Sequence, residues 1–335
     1  MGVNMKFYFA PLEGVTGYMY RNAHHTFFPE TVDKYFAPFI VANQKGTWKT
    51  REISDLLPEN NKGVKLIPQI LTNKAEDFIE TAKKIEQLGY SEINLNLGCP
   101  SGTVVSKNRG AGFLSQTDEL NRFLDNITQY AVTKISVKTR IGKYDPDEFF
   151  DLLEIFNRYP LEELIVHPRI QTDFYKNKPN LLMFEEAVKT SKNPLCYNGD
   201  IVTVSDYLEI KAKFPSVESM MIGRGLLYNP ALIREILGAI EMQGSGMLKN
   251  GIPGSGMQIE TLRSMHDQIY VGYQQILFGE KNVLFKMKEI WFYWIKLFEN
   301  ADKYAKKIKK AERLKDYEAV VASLFLECKI MHDKE

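Results

Sequence analysis

A cysteine stands between glycine and proline at Gly98-Cys99-Pro100, directly after the run Ile93–Leu97, in which apolar and amide side chains alternate. A strand with that alternation puts Ile93, Leu95 and Leu97 on one face and Asn94 and Asn96 on the other. Gly98 and Pro100 then end it on either side of the thiol. The loop that follows carries Lys107, Arg109, Gly110 and Gly112. A thiol delivered by a strand beside amides and basic groups belongs to a site; the alternative is that Cys99 is a small buried hydrophobe. If it is a site, the loop 107–112 is expected to be mobile, its glycines giving it freedom and Arg109 a phosphate to hold.

Four more strand-like runs carry a polar group near their C-terminal ends. Ser136, Lys138 and Arg140 share a face opposite Val137 and Thr139, and Ile165, His167 and Arg169 share one opposite Leu164 and Val166. Gln69 has the parity of Ile67, and Asn198 that of Cys196 and Asp200. Gln69, Asn96, Lys138, His167 and Asn198 can therefore meet at one mouth if their strands lie side by side in a closed sheet. Two corners suit an anion. Asn198-Gly199-Asp200 precedes a helix near Val202, and Gly223-Arg224-Gly225 leads into Asn229-Pro230. Glycines let backbone N–H groups come close to a phosphate and Arg224 adds charge; the alternative is a pair of tight turns with a surface arginine.

The elements that must position these groups recur in order. Eight β-type runs are expected: Phe7–Leu12, Asp33–Pro38, Val64–Ile70, Glu92–Gly98, Ile135–Ile141, Glu163–Arg169, Pro194–Asp200 and Ser219–Gly225. Helical spacing lies between them, as in Ala75–Leu88, Thr117–Ala131, Pro146–Tyr159, Asn180–Thr190 and Val202–Phe214, while 43–59 has no clean period. Asp145-Pro146 and Asn229-Pro230 each read as an N-cap followed by proline at the first helical position. Strand and helix alternating eight times predict an α/β fold, a (β/α)8 TIM barrel over 1–243 whose polar strand ends face one mouth. The Gly- and Ser-rich stretch 244–256 reads as a linker or loop, and 257–335 as a small all-helical domain. In that domain Ile290, Trp291, Trp294, Ile295 and Phe298 make one apolar face, core in character. Lys303, Lys306, Lys307 and Lys310 fall on one helical stripe, which is either a solvated face or a track for a phosphate backbone.

Composition sets the outer bounds. The chain has 335 residues, a formal net charge of +1, 44% apolar and 25% charged residues, which excludes disordered and fibrous classes and gives no global argument for nucleic acid. Its three cysteines, Cys99, Cys196 and Cys328, are widely spaced and form no metal-ligand pattern. That usage suits a reducing cytoplasm without disulfides or zinc. No apolar run approaches about 18 residues, so no membrane span and no signal peptide are expected.

Seven motifs in order resemble those of the flavin-dependent tRNA-dihydrouridine synthases over nearly the whole chain. They are Ala10-Pro11-Leu12-Glu13-Gly14-Val15-Thr16, Pro68-Gln69, Asn94-Leu95-Asn96-Leu97-Gly98-Cys99-Pro100, Ser136-Val137-Lys138-Thr139-Arg140, His167-Pro168-Arg169, Asn198-Gly199-Asp200 and Gly223-Arg224-Gly225. The resemblance implies an FMN barrel with a helical tRNA-binding domain, NADPH as reductant and tRNA as partner, with no metal and no obligate protein partner. Hydride from flavin to C6 of a uridine and a proton to C5 would saturate the C5=C6 bond. Cys99, mostly protonated at neutral pH if unactivated, would be the proton donor. Lys138 would lie by the flavin ring and stabilise the reduced form, and Gln69 would bond a ring edge. Pro11, Leu12 and Glu13 of the first motif would line the cofactor. His167, Asn198, Gly199, Asp200, Gly223 and Arg224 would hold its ribityl chain and phosphate. Asn96, Arg140 and Arg169 would meet the uracil and its nucleotide, and the lysine stripe the rest of the tRNA. The nearest rival is an FMN barrel acting on a free small molecule, such as a dihydroorotate or dihydropyrimidine dehydrogenase or an ene-reductase.

Overall fold

Parallel strands of alternating polarity close on themselves when every second side chain has an interior to fill, and the chain does this with ten short strands. The computed structural model describes residues 5–43, 47–130, 133–245 and 256–331. The strands are β1 (Lys6–Phe9), β2 (Lys34–Phe36), β3 (Ile40–Val41), β4 (Leu66–Ile67), β5 (Gln69–Leu71), β6 (Glu92–Leu97), β7 (Lys134–Arg140), β8 (Glu163–His167), β9 (Leu195–Tyr197) and β10 (Ser219–Ile222). All pair in parallel in the order β3-β5-β6-β7-β8-β9-β10-β1-β2-β4. β2 with β3, and β4 with β5, each occupy one position of the barrel. β4 and β5 are parted by Pro68, and Pro38 lies between β2 and β3, because proline has no N–H for the ladder. Ten strands thus make the eight positions of a TIM barrel.

The faces that meet the helices are apolar, with Ile70, Ile93, Leu95, Val137, Leu164 and Val166 fully buried. The interior is polar at its floor. The Glu163 carboxylate accepts from Tyr8 Oη (3.0 Å) and Ser219 Oγ (2.7 Å), and Lys34 pairs with Glu92 at 2.7 Å. Burial raises the Glu163 carboxyl above its ordinary range, and its Oε2 has no partner among the described residues.

Helices fall close to the expected stretches, at Ala75–Gln87, Thr117–Tyr130, Glu148–Phe156, Leu181–Thr190 and Val204–Lys213. The two proline starts are displaced. Asp145 Oδ1 accepts from the Asp147 N–H (2.9 Å), and the Glu148 carboxylate accepts from the N–H groups of Lys143, Tyr144 and Asp145. Pro146 therefore sits in a turn that precedes the helix rather than at its first position. Asn229 Oδ1 likewise accepts from the Ala231 N–H (3.0 Å) ahead of the helix Leu232–Ser245. In both places a side-chain-bonded turn satisfies the N–H groups that an N-cap would otherwise serve.

The described residues divide into two compact units: Met1–Pro11, Asp33–Asp200 and Glu209–Ile222 form one, and Leu12–Val32, Ile201–Leu208 and Gly223–Glu335 the other. The first holds every barrel strand. The second is helical, with Tyr18–Phe27, Ile259–Ile276, Glu280–Trp294, Asp302–Lys310 and Leu314–Glu327 among its elements. Its core is aromatic with satisfied polar tips. Trp291 Nε1 donates to Tyr317 Oη (2.7 Å), which also bonds His266 Nε2 (2.6 Å), and Trp294 Nε1 donates to Tyr20 Oη (3.3 Å). Of the apolar face expected on the C-terminal helix, Ile290, Trp291, Trp294 and Phe298 are buried. Of the stretch 244–256, Gly244 and Ser245 end the helix Leu232–Ser245, and 246–255 lie outside the described residues. Among the described residues no helix is long and apolar enough to cross a membrane, and no group of side chains could hold a metal ion.

Candidate active site

The C-terminal ends of β5 to β9 form one mouth. Where β6 ends, Asn96 turns its amide oxygen back on the chain and accepts from the N–H groups of Gly98 (3.0 Å) and Cys99 (2.9 Å). That turn fixes the backbone that carries the thiol. From the other side the Cys99 carbonyl accepts from the Ala111 N–H (3.1 Å) and the Gly98 carbonyl from Arg140 Nε (3.0 Å). The Asn96 amide nitrogen donates to Gln69 Oε1 (2.7 Å), Gln69 Nε2 to Asn94 Oδ1 (2.7 Å), and Asn94 Nδ2 to Ser136 Oγ (3.0 Å). A chain of amides across β5, β6 and β7 therefore props the cysteine turn from inside the barrel. Gln69, fully buried, is a member of that chain.

The glycines after Cys99 serve close packing, which corrects the expectation of a free loop. A Cβ on Gly110, whose φ is +54°, would lie 2.8 Å from the Cys99 carbonyl oxygen, and one on Gly112 would lie 2.8 Å from that of Val105. The segment is folded as Gly102–Val105 and Gly110–Ser115 helical turns with Gly110, Ala111 and Gly112 buried. Arg109 is half-buried, its Nε 3.4 Å from Asn73 Oδ1.

Lys138 stands beside Asn96 in the β6–β7 register. It is half-buried, and loss of water together with the neighbouring Arg140 guanidinium pushes its ammonium down to about 8, while Cys196 and Cys99 pull the other way. An amine so placed holds its positive charge at neutral pH while seeking an anion to offset it.

The two arginines expected to meet substrate make several bonds within the protein. Arg140 is 1% exposed and donates to the carbonyls of Gly98, Ile170 (2.7 Å) and Phe174 (2.8 Å). Arg169 is equally buried; it donates to the Asn177 carbonyl (2.6 Å) and holds both carboxylate oxygens of Asp200. Its Nη1 also lies 3.0 Å from His167 Nε2. A guanidinium only donates, so His167 Nε2 accepts and the ring proton sits on Nδ1. The carbonyls that take these donors all come from loops, which is why the strand pattern did not reveal them. Together the arginines tie the cysteine turn, the segment 170–177 and the Asn198-Gly199-Asp200 corner. At that corner Asn198 Nδ2 donates to the Met221 carbonyl (2.8 Å), and any Cβ on Gly199 would overlap Tyr197 Oη.

Tyr175 was missed in the sequence. It is 51% exposed at the mouth, its ring 5.6 Å from the Arg140 guanidinium and 6.0 Å from the His167 ring. Phe174 before it has φ +50°, a costly conformation that the Arg140 bond to its carbonyl helps to hold. The available signal was an aromatic pair in a polar loop after a barrel strand, where such folds carry function.

Cys99, Lys138, Arg140, His167, Arg169, Asn198 and Asp200 are thus gathered at one end of the barrel, above Gln69 and Asn96. Pro11 is half-buried just beyond β1. Leu12, Glu13, Gly223 and Arg224 belong to the helical unit, where Leu12 N–H donates to Thr16 Oγ1 (2.8 Å), Glu13 is exposed and Gly223 precedes the helix Arg224–Tyr228. Lys303, Lys306, Lys307 and Lys310 are exposed on Asp302–Lys310, with Lys303 paired to Glu327 at 3.2 Å.

The family model for dihydrouridine synthase (Dus) matches residues 8–324. The chain belongs to the dihydrouridine synthase family. Among curated relatives of this dihydrouridine synthase, the probable tRNA-dihydrouridine synthase of Staphylococcus aureus (strain Mu50) is 28% identical over 234 residues, 67% of this chain and 69% of that protein. The tRNA-dihydrouridine(16) synthase of Pseudomonas syringae pv. tomato is 29% identical over 184 residues, 54% of this chain and 57% of that protein. Histamine dehydrogenase from Rhizobium sp. 4-9 shares the fold, with a TM-score of 0.52 at 10% identity over 72% of this chain and 46% of that one.

Proposed function

We propose that this dihydrouridine synthase reduces the C5=C6 bond of uridines in cytoplasmic tRNA, with FMN as cofactor and NADPH as reductant. The donor set of the barrel suits that cofactor: a half-buried ammonium at Lys138 for the negative charge of a reduced ring, with His167 and Gly199 at the same end of the barrel. Asn198, Asp200 and Pro11 of the barrel complete the proposed cofactor contacts. When bound, the flavin supplies the hydride that goes to C6.

The protein's own part is to present an acid. Cys99 Sγ gives its proton to C5, and the Asn96 turn holds the thiol at a set height above the barrel. General acid help of this kind is worth about 10²- to 10⁴-fold in rate. Lys138 keeps the site cationic, Arg140 and Arg169 fix the loops around it, and Tyr175 offers a ring to a flat base. Asn96, through its second amide N–H, and Arg109 meet the uracil nucleotide. A uridine must leave its stack to reach such a mouth, at a cost of a few kcal/mol that contacts elsewhere on the tRNA offset. The lysine stripe 303–310 supplies part of these.

The observation that carries the reading is Cys99 on a doubly bonded turn beside Lys138. Protein reduced with NADPH should form dihydrouridine in unmodified tRNA and leave free uracil and orotate untouched. Cys99→Ala should retain flavin and its reduction while losing product about 10²-fold or more. Comparable turnover of a free base, or a Cys99→Ala protein of normal activity, refutes it.

A further inference from the structure

The helix Glu280–Trp294 buries Met287, Ile290, Trp291 and Trp294, yet leaves Phe285 and Phe292 61% and 66% exposed. Seven residues apart, the two rings lie on one face with a rise of about 10 Å between them. Both wall a cavity of about 710 Å³ together with Trp291, Tyr293, Lys296 and Lys309. Single exposed phenylalanines need no explanation. Two on one face of a cavity, with cations set against aromatic rings, do.

Lys296 Nζ lies 4.5 Å from the centre of the Tyr228 ring and 6.0 Å from that of Phe292, so it is held over the aromatic surface. Lys309 reaches the same cavity from the helix Asp302–Lys310, whose Lys306, Lys307 and Lys310 are also exposed. The acidic lining is Glu13 and Glu289, and Glu289 is paired with Lys286 at 3.2 Å. The surface therefore favours a polyanion with flat apolar parts. A duplex offers only its phosphates and would leave the phenyl rings against charge. An unpaired strand offers both phosphates for the lysines and base faces for the rings.

We propose that this groove takes unpaired nucleotides of the tRNA substrate, their bases stacked on Phe285 and Phe292 and their phosphates on Lys296 and Lys309. The proposal rests on the tRNA reading above and adds a second contact surface to the lysine stripe.

The test measures binding of flavin-loaded protein to unmodified tRNA over a range of salt. Phe285→Ala with Phe292→Ala should weaken binding about tenfold or more with an unchanged salt slope, because stacking releases no counterions. Lys296→Gln with Lys309→Gln should instead lower the salt slope by about one to two. A single-stranded oligoribonucleotide should compete better than a blunt duplex of the same length. Flavin content should be unchanged in both variants. Affinity of the phenylalanine variant within twofold of wild type, or equal competition by duplex, overturns the proposal. Dihydrouridine formation by wild type, measured in parallel, separates the two claims. If wild type binds tRNA but forms no product, the enzymatic reading fails; if product forms and the phenylalanine variant binds normally, the groove fails.

Discussion

Asn96→Ala removes three bonds at once. The N–H groups of Gly98 and Cys99 lose their acceptor, and Gln69 Oε1 loses its donor. An orphaned buried group costs about 1–3 kcal/mol. Gly98 and Cys99 are half-buried, so water recovers part of their loss and about 1 kcal/mol each is reasonable, whereas fully buried Gln69 has no such recourse and costs about 1–2 kcal/mol. The sum is about 3–4 kcal/mol, read as a lower urea midpoint with an unchanged m-value. Released from its turn, Cys99 should also react faster with iodoacetamide, and dihydrouridine formation should fall while flavin stays bound. Asn96→Asp separates the turn from the amide chain. Its carboxylate still accepts both N–H groups, but it meets Gln69 Oε1 with a second oxygen. That clash resolves if Gln69 and Asn94 both invert, since the chain ends on the Ser136 hydroxyl, which can donate as well as accept. The Asp variant should therefore lose less stability than the Ala variant and keep a slow-reacting thiol. An Ala variant within about 0.5 kcal/mol of wild type, with unchanged alkylation, would show that Asn96 does not hold the cysteine.

Two further outcomes concern buried charge. Glu163 has its folded pKa raised by burial, so its contribution to stability is full below the ordinary carboxyl pKa and is lost as pH rises through the folded value. Glu163→Gln keeps an acceptor for Tyr8 and Ser219 and should come closest to wild type well below the ordinary carboxyl pKa while gaining on it toward pH 8 in thermal unfolding; a variant that loses stability at pH 8 contradicts the assignment. For Lys138, depressed to about 8 chiefly by burial, flavin-free protein should bind FMN more weakly as pH passes about 8 and the ammonium is lost. Lys138→Arg should flatten that fall, and an identical fall in the Arg variant would assign the titration to another group.

Parity made the barrel and its mouth legible, because in a closed parallel sheet the inward face is set by residue spacing alone. The breaks at Pro38 and Pro68 shorten strands without moving a side chain to the other face, so Gln69 still joins Asn94 and Asn96 as its parity predicts. What parity cannot supply is the identity of a partner far along the chain. Arg140 and Arg169 were placed on the correct face and end of their strands, but their donors are taken by carbonyls at Gly98, Ile170, Phe174 and Asn177, which no periodic pattern marks. The same limit governs Gly110, where glycine reads as freedom until the Cys99 carbonyl is seen 2.8 Å from where a Cβ would stand. In each case the structure shows a restraint, at the cysteine turn for Arg140 and Gly110 and at the Asn198-Gly199-Asp200 corner for Arg169. Counted together, Asn96, Arg140 and Ala111 hold the backbone of Gly98 and Cys99 from three separate segments. Fixation of this kind helps any group that must meet one reacting atom, proton donor or nucleophile alike. The restraints therefore set where the backbone of Cys99 stands, and it is the loss of product in Cys99→Ala with flavin reduction intact that separates a proton donor from a bystander.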